Sequence, residues 1–245
     1  MKYTEISHFS HPHHKLKLHH TEAPFKCDGC KEIGIGSAYM CSASAAACDY
    51  DLHTHCAVPS TSIAHPFYIK CSFQFLSRPP GKEARYCNAC ERAVKGFLYH
   101  CRLCGFDLHP CCAKLPMVID DGDIKLYLYS SVSAPCHRCG RKGRSWCYRS
   151  SCKKYNLHVA CVKEMLVDSW HELYNGVSYT SSKKYGSRVP SLKATLEAHT
   201  NHKKSRGRVQ KCCEVAGLAL QFVVSAVLGD PTTLIAGVVG ALMSK

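Results

Sequence analysis

Residues 87–112 read CNACERAVKGFLYHCRLCGFDLHPCC, and this stretch decides the fold. It holds two Cys-x2-Cys pairs ten residues apart, followed four residues later by His-x2-Cys, and these positions are Cys87, Cys90, Cys101, Cys104, His109 and Cys112. Thiolate and imidazole are the ligands that tetrahedral Zn²⁺ prefers, and a short pair presents two of them to one metal. The stretch therefore predicts a small domain folded around zinc.

The pattern occurs three times along the chain. Each copy ends in an aromatic residue, Asp or Asn, Leu, His, two residues and Cys, with the histidines at His53, His109 and His158. Each copy begins with a Cys-x2-Cys pair, namely Cys27/Cys30, Cys87/Cys90 and Cys136/Cys139. A second pair lies between these landmarks: Cys41/Cys48, Cys101/Cys104 and, with looser spacing, Cys147/Cys152. Repetition at this period predicts tandem domains, which we call module 1 (8–62), module 2 (63–118) and module 3 (119–168).

Composition supports metal sites rather than disulfides. The chain has 245 residues, 19 Cys, 16 His and a formal net charge of +14. Its first twenty residues carry His and Lys and lack the apolar run of a secretory signal, so we expect a cytoplasmic or nuclear protein. Closely spaced cysteines in a reducing compartment indicate metal binding. Modules this short bury little apolar surface, so zinc must supply much of their folding free energy.

The order of these pairs resembles that of C1 zinc domains, and more closely that of the divergent C1 (DC1) domains of plants. The resemblance covers about residues 8–165 and includes an opening His14, before the apolar positions Leu16 and Leu18, with twelve residues between His14 and Cys27. It implies small α+β modules with interleaved zinc sites, in which the first Cys pair shares one zinc with the His-x2-Cys. By position these ligand sets are Cys27, Cys30, His53 and Cys56; Cys87, Cys90, His109 and Cys112; and Cys136, Cys139, His158 and Cys161.

The resemblance implies a second zinc site in modules 1 and 2. In module 1 its ligands would be His14, Cys41, Cys48 and either His65 or Cys71. In module 2 they would be Cys101 and Cys104 with two further groups, for which His65 and Cys71 are again the candidates. In module 3 the second site is expected to be degenerate, with Cys152 as a remaining ligand. About five zinc ions per chain follow from this assignment.

Other cysteines and histidines are given no metal role. Cys41 and Cys48 are six residues apart, so the chain between them must loop out. Cys111, beside Cys112, is expected to be a spare buried thiol. The remaining histidines near the N-terminus are expected to be solvated, and they are His8, His11, His13, His19 and His20.

These sites favour a binding protein over an enzyme. Three zinc sites with four protein ligands each leave no metal position for water or substrate. We therefore expect a non-enzymatic adaptor with protein partners, and the resemblance implies plant signalling or stress response. Other C1 domains bind diacylglycerol, but here the loops 31–40 and 91–100 have ten residues and no Gln, so that lipid is not expected.

A PHD-like finger is the alternative interpretation, and it would imply a nuclear binder of chromatin or nucleic acid. In that interpretation module 2 would take Cys136 and Cys139 as its last pair. A PHD finger has Trp two residues before that pair, whereas this chain has Ala134.

The last third of the chain has a different character. Residues 169–211 form a basic linker, which predicts non-specific contact with nucleic acid or anionic lipid. Residues 212–245 are apolar and are divided at Gly229-Asp230-Pro231. Each half would reach about 20 Å as a helix, short of a membrane core of about 30 Å. We therefore expect a helical hairpin that packs on itself, on a second subunit or on a membrane, and a membrane-associated scaffold is a further alternative.

Overall fold

The computed structural model describes residues 3–43, 48–120, 125–153, 155–164 and 167. The predicted basic linker and apolar hairpin lie outside the described residues. The chain divides into two compact units with a boundary between Leu115 and Pro116. Modules 1 and 2 fall in the first unit and module 3 in the second. Within the described residues no helix is both long enough and apolar enough to cross a membrane.

Each module contains one four-stranded antiparallel sheet whose strands follow chain order. In module 1 the strands are β1 (Glu5–His8), β2 (His11–Lys26), β3 (Ile33–Cys41) and β4 (Asp51–His53). In module 2 they are β5 (Ser62–Ile63), β6 (Phe73–Leu76), β7 (Leu98–His100) and β8 (Asp107–Leu108). In module 3 they are β9 (Val118–Asp120), β10 (Lys125–Tyr129), β11 (Cys147–Ser150) and β12 (Asn156–His158).

A helical turn follows the last strand of every module. These turns are α1 (Thr54–Ala57), α2 (Pro110–Ala113) and the helical residues 159–164. Small β-rich modules with a short helix are what the sequence predicts, and the structure confirms that architecture. The three sheets begin at Glu5, Ser62 and Val118, so each starts slightly before the predicted boundary of its module.

The three sheets share one register. In each, a tyrosine of the third strand pairs with a leucine of the fourth, and the pairs are Tyr39–Leu52, Tyr99–Leu108 and Tyr148–Leu157. All six side chains are buried. This shared pair aligns the third and fourth strands of the three sheets. Residues at equal distances from it along these strands therefore lie on the same face. Residues of the three modules can therefore be equated by register.

Modules 1 and 2 share a core inside the first unit. Phe97 of module 2 packs into the buried cluster of module 1, and its ring centroid lies 5.5 Å from that of Phe9. The Tyr99 hydroxyl donates a hydrogen bond to the Ser60 carbonyl oxygen at 3.0 Å. Modules too small to bury much apolar surface alone thus bury it against each other.

Candidate metal centres

Three quartets join the first Cys pair of a module with its His-x2-Cys, and we call them the inner sites. In each quartet the four ligand atoms lie within 4.8 Å of one another, and the members are Cys27, Cys30, His53 and Cys56; Cys87, Cys90, His109 and Cys112; and Cys136, Cys139, His158 and Cys161. These are the sets that the resemblance implies. The inner sites of modules 1 and 2 are completely buried, whereas Cys139 of module 3 is exposed.

The spacing of the ligand atoms fits tetrahedral zinc. Zn–S and Zn–N bonds of about 2.3 and 2.05 Å imply a sulfur-to-nitrogen separation of about 3.6 Å across a tetrahedral angle. The Nδ1 atom of His53 lies 3.3 Å from Cys30 Sγ and 3.8 Å from Cys56 Sγ. In module 3, His158 Nδ1 lies 3.4 Å from Cys139 Sγ and 4.0 Å from Cys161 Sγ. The donor set and its size therefore suit Zn²⁺.

A tight turn shapes each first Cys pair. The backbone nitrogen four residues after the first cysteine donates to that cysteine's carbonyl oxygen, from Lys31, Glu91 and Gly140 respectively. These three donors have φ values of 64°, 58° and 69°, in the left-handed region. Gly140 adopts this conformation without cost, whereas Lys31 and Glu91 each carry some strain there. The turn brings the two sulfurs of the pair toward one metal.

A side-chain clamp ties that turn to the last strand of its module. The residue after the first cysteine accepts a hydrogen bond from a backbone nitrogen two residues before the ligand His. The side-chain acceptor and the residue whose backbone nitrogen donates are Asp28 and Asp51 at 3.0 Å, Asn88 and Asp107 at 2.8 Å, and His137 and Asn156 at 3.0 Å. The same residues exchange a backbone bond in the opposite direction. The clamp thereby sets the distance between the Cys pair and the histidine.

The helical turns place the remaining ligands. His53 ends β4 and Cys56 lies one turn later in α1, so both side chains face the same metal position. The His53 backbone nitrogen donates to Cys27 Sγ at 3.4 Å, and that of His109 donates to Cys87 Sγ at the same distance. Such bonds stabilise a thiolate.

Close packing perturbs the titration of these groups. A hydrogen bond from the Cys161 thiol lowers the pKa of Cys136 to about 4, and the same bond raises the pKa of Cys161. Burial would lower the pKa of His109, but hydrogen bonds with the Cys87 and Cys90 sulfurs outweigh it and raise that pKa to about 11. A divalent cation would relieve this competition for protons, because thiolate and neutral imidazole are the metal-binding forms.

Two further clusters form what we call the outer sites. That of module 1 joins His11, His14, Cys41 and Cys48, and that of module 2 joins Cys71, Cys101 and Cys104. Within each module the inner and outer ligands alternate along the chain, which is the interleaved order that the resemblance implies. The outer sites are less buried than the inner ones, since His14 and Cys104 are exposed.

The structure shows to which outer site Cys71 belongs and that His65 belongs to neither. Cys71 belongs to module 2, with its Sγ 2.9 Å from that of Cys104. His65 is buried but belongs to none of the five clusters found among the described residues. The fourth member in module 1 is instead His11, for which solvation was expected. Its Nε2 lies 3.4 Å from both Cys41 Sγ and Cys48 Sγ.

Other expectations for the histidines and cysteines have mixed outcomes. His13, His19 and His20 are exposed, as expected, but the expectation for His8 is wrong because its ring is buried against Phe9 and Phe97. Cys111 is buried and hydrogen-bonds Cys30 of module 1. Burial raises the pKa of Cys30, and the bond to Cys111 raises it further.

Module 3 has no outer site among its described residues. Register equates Ser150 with Cys41 and Cys101, because the backbone nitrogens of all three donate to the aromatic residue that precedes the last strand. Cys147 lies in the core of β11, equivalent to Ala38 and Leu98. Cys152, the ligand predicted for this module, is exposed beside Ser150 Oγ at 3.3 Å and belongs to no cluster.

Module 1 also contributes to the surroundings of the module 2 inner site. The Nε2 atom of His109 lies 3.3 Å from the Ala93 carbonyl oxygen and 3.7 Å from Glu32 Oε1. A carbonyl or carboxylate at the second ring nitrogen orients a metal-bound histidine and strengthens its bond to the metal. Sequence spacing does not reveal Glu32, because the contact crosses between modules.

Comparison with known proteins gives one finding. The model of a family described as the C1 domain matches residues 9–57 and 64–113. These segments carry the inner and outer sites of modules 1 and 2. The search for related curated proteins and the search for similar solved structures each returned no significant match.

Proposed function

We propose that the chain is a zinc-binding, non-enzymatic adaptor that holds protein partners, and the two tandem segments that match the C1 domain model support this proposal. The observation that carries this proposal is the closure of the inner sites. Cys27, Cys30, His53 and Cys56 are each at most 1% exposed. A metal with four buried protein ligands offers no position to water or substrate, so its role is to hold the fold.

The shared core of modules 1 and 2 supports a role in binding. A surface built on one compact unit is formed before a partner arrives, so its side chains lose little conformational entropy on binding. Two large apolar side chains on this unit, Ile69 and Leu103, are 87% and 82% exposed. Ile69 is followed by Lys70 and Leu103 is preceded by Arg102. Exposed apolar groups beside basic residues suit a partner with an apolar and acidic surface.

The cluster of module 3 weighs against the PHD-like alternative. Cys136 and Cys139 lie with His158 and Cys161, so this pair is not available to complete a finger in module 2.

Diacylglycerol binding also lacks support. Strand β3 begins at Ile33, only three residues after Cys30, so little chain remains there for a lipid-binding loop. A signalling role rests on the family resemblance.

Cross-linking and cell fractionation together test the proposal. The full chain, tagged and cross-linked in cells, should capture discrete proteins in the soluble fraction, and Cys87→Ser should abolish this capture by unfolding module 2. Capture should persist in a chain ending at residue 211. Pelleting that requires residues 212–245 would favour a membrane scaffold instead. Capture of nucleic acid in place of protein would favour the nuclear alternative.

A further inference from the structure

The outer site of module 2 consists of three thiols where its counterpart in module 1 has four ligands. Cys71, Cys101 and Cys104 have their sulfur atoms within 4.8 Å of one another. Cys104 is exposed and Cys71 is half-buried, so solvent reaches this cluster. The described part of the chain adds no fourth His, Cys, Asp or Glu to it.

Position along the chain indicates which residue stands at the fourth place. In module 1, β2 pairs Lys17 with Met40, and in module 2, β6 pairs Gln74 with His100. Cys71 and Tyr68 precede β6 in a turn, three and six residues before Gln74, as His14 and His11 lie three and six residues before Lys17. By this count along the chain Cys71 takes the place of His14 and Tyr68 that of His11.

Ring contacts support this equivalence. The His11 ring stacks on Tyr50 with centroids 4.4 Å apart, and the Tyr68 ring contacts Phe106 with centroids 5.0 Å apart. Tyr50 and Phe106 are equivalent, because their carbonyl oxygens accept hydrogen bonds from the backbone nitrogens of Cys41 and Cys101. A phenol therefore stands where module 1 has an imidazole. Phenol, with a pKa of about 10, is a much weaker zinc ligand at neutral pH than imidazole.

We propose that the outer site of module 2 holds its metal through three thiolates and leaves the fourth position to a thiolate from outside the module. The inference rests on zinc binding by the outer sites, as the proposed function requires. Three thiolates on Zn²⁺ give a net charge of −1, and a fourth makes it −2. Lys70 and Arg102, both exposed, adjoin Cys71 and Cys101 in the chain and offset this charge. A small cellular thiol and a partner's cysteine share this chemistry.

Cobalt spectroscopy of the full chain tests the proposal. Co²⁺ replaces Zn²⁺ in such sites and gives absorption bands that report each sulfur ligand. Adding glutathione should increase the sulfur-to-cobalt charge-transfer absorbance until one thiol is bound per chain, with no loss of cobalt. Tyr68→His, which copies His11 of module 1, should abolish this response. A peptide with one cysteine, compared with glutathione, distinguishes a partner's thiol from a small one by its affinity.

Several outcomes would overturn the proposal. They are a flat titration in a chain that holds cobalt, an unchanged response in Tyr68→His, and release of cobalt as thiol is added. A spectral change caused by His65→Ala alone would show that His65 closes the site. Absence of all cobalt bands would instead refute zinc binding itself, so the two failures are distinguishable.

Discussion

The backbone nitrogen of Phe97 donates a hydrogen bond of 2.8 Å to the carbonyl oxygen of Gly29, which joins module 2 to the first Cys pair of module 1. The two backbones approach closely because neither Gly29 nor Gly96, the residue before Phe97, has a side chain. A Cβ atom on Gly96 would lie 2.0 Å from the Gly29 oxygen, and one on Gly29 would lie 2.5 Å from the Phe97 ring. Two metal-centred modules thus meet directly through their backbones.

Gly96→Ala should separate the two modules. The added methyl group must push the backbones apart, and such overpacking costs about 1–3 kcal/mol. Denaturant unfolding should show a lower midpoint and, for the first unit, a broader or two-step transition. Gly81→Asn is the matched control, because the space around Gly81 is open and Asn tolerates its φ of 77°. Equal stability of Gly96→Ala and the native chain would contradict this account of the contact.

Glu32→Gln should weaken zinc binding in the module that does not contain it. The carboxylate lies 3.7 Å from His109 Nε2, where its negative charge makes the neutral imidazole a stronger ligand for the metal. We expect about a tenfold loss of affinity at the inner site of module 2, at the low end for such outer contacts. Competition with a chromophoric chelator measures this loss, and Glu83→Gln, at an exposed position outside the site, serves as the control. Equal affinities for both variants would show that module 1 does not tune this site.

Asn88→Ala should loosen the clamp of module 2. The Asn88 side chain accepts the Asp107 backbone hydrogen bond at 2.8 Å, and its loss leaves that donor unpaired at a cost of about 1–3 kcal/mol. Asn88→Asp should restore most of the stability, because Asp28 performs the same task in module 1. Thermal unfolding of the zinc-loaded variants measures both effects. A clamp without structural importance would leave the two variants equally stable.

Cys139→Ser and Cys152→Ser should differ in zinc content. Both cysteines are exposed, but only Cys139 belongs to a quartet. We expect Cys139→Ser to lose one zinc ion per chain and Cys152→Ser to lose none, as measured by elemental analysis of the purified proteins. Loss of zinc from Cys152→Ser would mean that module 3 has a second site after all.

The three-module organisation could be read from the repeat of Cys pairs and His-x2-Cys, whereas the membership of the inner quartets came from the resemblance to C1 domains. Spacing alone would also let Cys87 and Cys90 share a metal with the nearer pair, Cys101 and Cys104. The coarse architecture, small β-rich modules in tandem, follows from the same repeat.

The outer ligands depend on strand register, which sequence spacing does not show. His11 was set aside as one histidine among several, and only the folded chain brings it to Cys41 and Cys48. In module 2 the Tyr68 ring lies against Phe106 as the His11 ring lies against Tyr50. Glu32 escaped notice for a related reason, since its contact with His109 crosses between modules. Cys111 was expected to be a buried thiol, but its bond to Cys30 of module 1 was not foreseen.

Native mass spectrometry of the full chain, combined with amide hydrogen exchange, tests the central claim most directly. The account predicts about five Zn²⁺ per chain and, after chelation, loss of amide protection across all three sheets, because such sites and their folds form together. Protection should return when Zn²⁺ is added back. A metal-free chain that keeps its protected amides would contradict the claim that zinc holds these modules together.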